Sequence, residues 1–110
     1  MELKLDAETV GRLIREGLPA AMKGGVTVEA VSPGYARIRL PFRDSMLRPG
    51  NRISGPTLFA AVDTAMYAAV LAHIGPSMMA VTADMNMHFL RAAAPRDVIA
   101  ECRVLKLGRR

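Results

Sequence analysis

Asp63 is the residue whose type and setting most directly invite chemistry. Residues 55–75, GPTLFAAVDTAMYAAVLAHIG, are apolar apart from this single charge. At helical spacing its neighbours are Phe59, Ala60, Met66 and Tyr67. A lone carboxylate among such residues is costly to bury unless it is paired or neutralised. Burial would raise its pKa and make it a proton acceptor near neutrality. The bland alternative is a helix acid satisfied by backbone or by a partner's hydroxyls. Gly55 opens the same segment, where free N–H groups and the helix dipole favour a developing oxyanion. Such a donor together with an acid is what attack of water on a carbonyl, or of the carboxylate itself, requires. The two lie eight residues apart on one helix, a rise of ~12 Å. One chain therefore cannot bring both to one carbonyl, whereas an antiparallel pair of subunits can.

Other reactive side chains carry weaker signals. His73 and His88 lack metal-ligand spacing with any cysteine or acid, so no metal site is expected. His88 reads as a surface or interface residue. Cys102 is the single cysteine, which forbids an internal disulfide and gives a cytoplasmic reading. No phosphate-loop or dinucleotide glycine pattern is present. Met66, Met78, Met79, Met85 and Met87 could line a flexible apolar pocket or simply fill a core, and core filling is the simpler reading. Arg48 could hold a phosphate or carboxylate, or be a solvated loop arginine. The formal net charge of +5 favours anionic partners, and Lys106, Arg109 and Arg110 gather at the end. With two Tyr, three Phe and no Trp, base-stacking platforms are poorly supplied, which argues against nucleic acid.

The elements that must position these residues follow from pattern. With 110 residues, half of them apolar, the chain suits one domain over 1–110 and one core. Asp6 is a plausible N-cap for a helix carrying Val10, Leu13, Ile14 and Leu18, ended by Gly17 and Pro19. Residues 25–32 and 35–42 read as a hairpin about Pro33-Gly34, with Ala36, Ile38, Leu40 and Phe42 on its dry face. A loop over 43–54 leads to the central helix, opened by Gly55-Pro56 and closed by Gly75-Pro76. Residues 79–90 alternate, with Val81, Ala83, Met85, Met87 and Phe89 opposite Thr82, Asp84, Asn86 and His88. After a turn over 91–97, residues 98–107 form a further strand. The central helix is nearly long enough to cross a bilayer, which takes about 20 apolar residues. Asp63 near its middle and the flanking strands argue against a span; a helix apolar all round is otherwise a buried one. The N-terminus lacks the apolar run of a signal peptide. The order is α+β, with antiparallel strands wrapped around one helix.

Two stretches, RPGNRISGPTLFAAVDTA and AVTADMNMHFLRAAAPRDVIAECRVLKLGRR, resemble the hotdog-fold acyl-CoA thioesterases of the phenylacetate-degradation type over residues 45–110. In that family the helix opens with a His-Gly-Gly-like turn and an acid lies eight residues after the first glycine, the spacing of Gly55 and Asp63. A serine or threonine early in the next strand corresponds to Thr82, which would hold the water or orient Asp63. The Leu-Lys-Leu-Gly-Arg stretch, with Lys106 and Arg109, resembles a contact for coenzyme A phosphates. The chain departs from the pattern in places. Arg48 stands where an amide is expected, Asn51 lies three residues further on, Ser54 replaces the histidine and Pro56 the second glycine. Pro56 has no N–H, so Gly55 must supply any oxyanion donor. The family domain also has about two more strands after this stretch, so the chain resembles one lacking its last two.

The resemblance implies an acyl-CoA thioesterase, a homodimer or dimer of dimers, with no metal or prosthetic group beyond the coenzyme A of its substrate. Asp63, Gly55 and Thr82 are the expected catalytic residues; Arg48, Asn51, Ser54, Lys106 and Arg109 are the expected substrate contacts. The alternative is a non-catalytic hotdog module that binds acyl-CoA or builds an assembly.

Overall fold

The computed structural model describes residues 2–17, 25–75, 81–91 and 95–109, and only the backbone for 81–84, 88–91 and 107–109. Helix α1 (Ala7–Gly17) begins as expected at Asp6, whose Oδ1 accepts the Thr9 N–H at 2.8 Å. Strands β1 (Thr27–Ser32) and β2 (Tyr35–Leu40) form the hairpin. A 3-10 turn (Asp44–Met46) and a small hairpin of β3 (Leu47–Arg48) and β4 (Arg52–Ile53) occupy the segment read as a loop. Helix α2 (Gly55–Ile74) is the central helix, followed by β5 (Val81–Arg91) and β6 (Val98–Arg109). The main sheet is antiparallel in the order β1-β2-β6-β5. Residues 18–24, 76–80 and 92–94, which hold the proposed stops at Pro19 and Pro76 and part of the turn over 91–97, lie outside the described residues.

Two periodicities meet in the core. From the sheet, Ala36, Ile38, Val98, Ala100 and Cys102 alternate inward and are fully buried. From α2 come Ala61, Ala65, Ala68, Ala69 and Ala72, at helical spacing along one face, with Leu71. Alanine lets the helix axis come close to the strands, so the contact is short-ranged and intolerant of volume. Helix α1 closes the end of the layer by placing Val10 and Ile14 against β1 and α2.

The bulge in β1 corrects the simple alternation. Val28 pairs with Ile38 but Ala30 pairs with Arg37, so Glu29 is an extra residue. Val28 and Val31 have odd separation, yet both pack on the core. Glu29 is turned to the outer face, where its carboxylate bridges Arg37 Nε at 3.1 Å and Arg39 Nε at 2.6 Å. Arg39 also reaches Asp97 at 3.0 Å, and Asp97 accepts the Phe42 N–H at 2.7 Å. Beside them Tyr35 donates to Glu101 at 2.7 Å beneath the Arg103 guanidinium. The wet face of the hairpin is thus a lattice of opposite charges.

His73 ties the helix to the hairpin. It is 3% exposed, and its Nε2 accepts the Gly34 N–H at 2.9 Å. A backbone N–H can only donate, so the neutral ring carries its proton on Nδ1 and donates to Ala69 O at 2.7 Å. Gly34 sits at φ 76° in the Pro33-Gly34 turn, a left-handed conformation that glycine adopts without strain. The same residue's carbonyl accepts from Val104 of β6 at 2.8 Å. The end of α2 is capped from elsewhere too: Lys4 and Leu5 N–H groups both reach Ala72 O, and Gly75 N–H reaches Leu71 O.

The fold yields two expected outcomes. His73→Ala leaves the half-buried Gly34 N–H without its acceptor and lowers unfolding free energy by about 1–3 kcal/mol in urea titrations. His73→Gln, which restores an acceptor, recovers part of that loss. Cys102 lies fully buried, its Sγ 3.4 Å from Met85 Sδ, and burial pushes its thiol up to about 11. In a disulfide-exchange assay at pH 8 the native thiol stays unreacted over the time in which the urea-unfolded chain reacts fully.

Candidate functional site

The candidate site starts with the turn before α2. Between Arg48 and Arg52 the chain reverses through Pro49, Gly50 and Asn51, closed by Asn51 N–H to Arg48 O at 3.1 Å. Gly50 at φ 94° and Asn51 at φ 59° take the left-handed conformations that this reversal demands. Asn51 therefore has a turn-forming role, and it is exposed. Arg48 and Arg52 are exposed as well, and Arg48 Nη1 donates to Pro49 O at 2.7 Å. Ser54 N–H donates to Met46 O at 2.8 Å, which fixes the hairpin to the start of the helix.

Ser54 is the N-cap of α2. Its Oγ accepts the Thr57 N–H at 3.3 Å and shares a hydroxyl hydrogen bond with Thr57 Oγ1 at 2.9 Å. Leu58 N–H is taken by Ser54 O at 3.1 Å. Pro56 has no N–H. Counting donors in this first turn, Gly55 N–H is the one left without an internal partner among the described residues. Gly55 is exposed, and nothing outside its own helix backbone and chain neighbours lies within 4 Å of where a Cβ would stand.

The sequence expectation for Asp63 needs correction: in the single chain it is exposed. Helix α2 is not apolar and buried all round. Its alanine face meets the sheet, while Phe59, Val62, Asp63 and Met66, at i, i+3, i+4 and i+7, form an opposite stripe. Phe59 is 75% exposed and Met66 37%. Any burial of Asp63 must therefore come from beyond the described residues. An apolar groove of about 220 Å³ lies at the start of this stripe, lined by Gly55, Leu58, Phe59 and Val62. Its lining spans the first two turns of the helix, from Gly55 to Val62, the residue before Asp63.

The other expected residues are scattered. Thr82 pairs in register with Gly108, and Arg109 with Val81, on the β5–β6 pair at the edge of the sheet. Their side chains, like those of Asp84 and His88, are outside the described set. Lys106 is exposed opposite Asp84. Helix α2 packs chiefly on β2 and β6. Of the methionines, Met85 and Met87 pack on the core and Met66 lies on the open stripe, while Met78 and Met79 are outside the described residues. Leu58, Val62 and Arg52 were missed from sequence. The first two were findable as members of the stripe, and Arg52 only through the register of the hairpin. Among the described residues no group of three His, Cys, Asp or Glu side chains could hold a metal ion.

Comparison with known proteins gives this geometry a lineage. The Thioesterase superfamily profile matches residues 50–110, which contain α2, β5, β6 and most of the turn before α2. A protein of Saccharolobus solfataricus named as a candidate esterase is 30% identical over 86 residues, covering 78% of this chain and 57% of its own length. The chain thus spans little more than half of that relative. Among solved structures, a candidate thioesterase from Silicibacter sp. TM1040 superposes with a TM-score of 0.62 at 24% identity, covering 94% of each chain. The PaaI protein of the E. coli phenylacetic acid degradation operon gives 0.56 at 15% identity, over 94% of this chain and 96% of that one. These likenesses, with the antiparallel sheet laid on a long central helix, make the chain a hotdog-fold member of the thioesterase superfamily.

Proposed function

We propose that the protein is a cytoplasmic acyl-CoA thioesterase whose site is completed by a second copy of the chain. The observation that carries this reading is the open stripe of α2. It sets the free Gly55 N–H, an apolar groove and the Asp63 carboxylate on one uncovered surface. In this reading the acyl group enters the groove and the thioester carbonyl accepts the Gly55 N–H at the positive end of the helix. Asp63 of the other subunit then either takes a proton from the attacking water or attacks the carbonyl itself. In both routes the C–S bond breaks and coenzyme A leaves as the thiolate, which is protonated; in the second, water then hydrolyses the acyl-aspartyl anhydride to free acid and Asp63. A rise of ~12 Å separates Gly55 from Asp63 within one helix, so the two come from different subunits. Pairing would also cover Phe59 and Met66, whose exposure is costly in water. It would supply the desolvation of Asp63 that the single chain does not. Thr82 is assigned to orient Asp63 or its water, and Lys106 and Arg109 to coenzyme A phosphates. The assembly is read as a homodimer or dimer of dimers, with no metal or prosthetic group.

Free-thiol release from a panel of acyl- and aryl-CoA thioesters tests the reading. Asp63→Asn should lower kcat by about 100-fold or more, the scale of losing a positioned acid–base group, with the fold unchanged by circular dichroism. An Asn variant within a few fold of wild type rules out Asp63 as base or nucleophile. Binding of acyl-CoA without turnover by the wild type would instead select the non-catalytic module. Phe59→Arg should shift the sedimentation coefficient to that of a monomer and abolish thiol release together. Full activity in a Phe59→Arg monomer would sink the shared site.

A further inference from the structure

The small hairpin before α2 holds an electrostatic anomaly. Arg48 and Arg52 are direct cross-strand partners, so their side chains leave the same face side by side. Like charges directly opposite each other destabilise a strand pair. The main sheet shows the opposite arrangement: Arg37 and Arg39 are both matched to Glu29, and Arg39 to Asp97 as well. Among the described residues neither Arg48 nor Arg52 has a carboxylate within ion-pair distance. Both are exposed, and the three-residue reversal holds them in register rather than letting them splay. Arg48 donates one N–H to the Pro49 carbonyl, which leaves its other donors and those of Arg52 for a ligand. Two arginines on one face with no carboxylate partner suit a doubly charged oxyanion, which accepts several N–H bonds at once.

Position gives the pair its meaning. Arg52 lies three residues before Gly55, at most about 11 Å along the chain. The apolar groove starts at Gly55 and runs in the helical direction, away from the hairpin. The double cation is therefore tethered within about 11 Å of the helix start, where the free Gly55 N–H and the apolar slot begin. We infer that Arg48 and Arg52 together form a phosphate clamp that selects thioesters carried on a phosphorylated thiol. The inference rests on the thioesterase reading for the identity of the ligand, and it adds Arg52, which the family pattern does not mark. The pair acts at a distance from the scissile bond, so it sets KM rather than kcat.

The test compares hexanoyl-coenzyme A with hexanoyl-N-acetylcysteamine, which has the same thioester and no phosphate. Arg52→Gln and the Arg48→Gln/Arg52→Gln pair are measured beside Arg12→Gln, an exposed arginine on α1. With the coenzyme A substrate, Arg52→Gln should raise KM about tenfold and the double variant further, as expected for losing a charge-assisted hydrogen bond. The N-acetylcysteamine ester should show no change, and Arg12→Gln should be silent with both. Added salt should weaken coenzyme A-ester binding less in the double variant than in wild type. Equal changes with both esters, or none with either, overturn the clamp while leaving the hydrolase intact. If wild type cleaves neither ester, the hydrolase reading falls, and calorimetric titration with coenzyme A decides the clamp separately. Weaker binding by Arg52→Gln supports it, and identical binding overturns it.

Discussion

Everything in this structure follows from how closely α2 can approach the sheet. Five alanines on one face of the helix keep its contact with Ala36, Ile38, Ala100 and Cys102 close, and Leu71 adds bulk only near its end. Burying each methyl-sized group yields only about 0.8 kcal/mol, but the close fit also brings backbone and strand into contact along most of the helix. Leu71 and His73 near the end of the helix are the larger side chains on its buried side; elsewhere that side carries alanine, and the bulk of Phe59, Val62 and Met66 lies on the opposite one.

The same sorting places the candidate chemistry. A helix is a rod with fixed angular positions, and once the alanine face is committed, the directions of Asp63 and Gly55 are determined. The hairpin that precedes α2 fixes its start through Met46 and Ser54, and His73 fixes its end through Gly34. Between these anchors the helix has little freedom to roll. The open stripe is therefore a rigid surface, which suits a site that must meet its counterpart on another copy.

Much of the fold was legible from spacing alone. The apolar run from Gly55 to Ile74, the Asp6 cap and the inward alternation of Ala36 and Ile38 are local signals, written in residues adjacent along the chain. Asp63 shows where that legibility stops. Composition says the helix is apolar all round; only its packing partner determines which side stays wet, and that partner is a sheet distant in sequence. The bulge at Glu29 was hidden for a similar reason: its signature is the pairing of β1 with β2, not the residues of β1. His73 read as an unassigned histidine because its partner, Gly34, is 39 positions away. The opposed arginines were invisible for want of register.

The Glu29 bulge also bears on how this chain can change over evolutionary time. Most strands absorb substitutions and reject any change in length, while turns do the reverse. Here one strand contains a length change already fixed, with the extra residue employed as a counter-ion for Arg37 and Arg39. Deleting Glu29 would restore an unbroken ladder, with Ala30 still opposite Arg37 and Val31 still opposite Ala36 on the core side, so the inner face would survive while the two arginines lost their counter-ion. A gap opposite Glu29 in a relative would therefore mark a rebuilt outer face, with its arginines lost or rematched, rather than a trimmed loop.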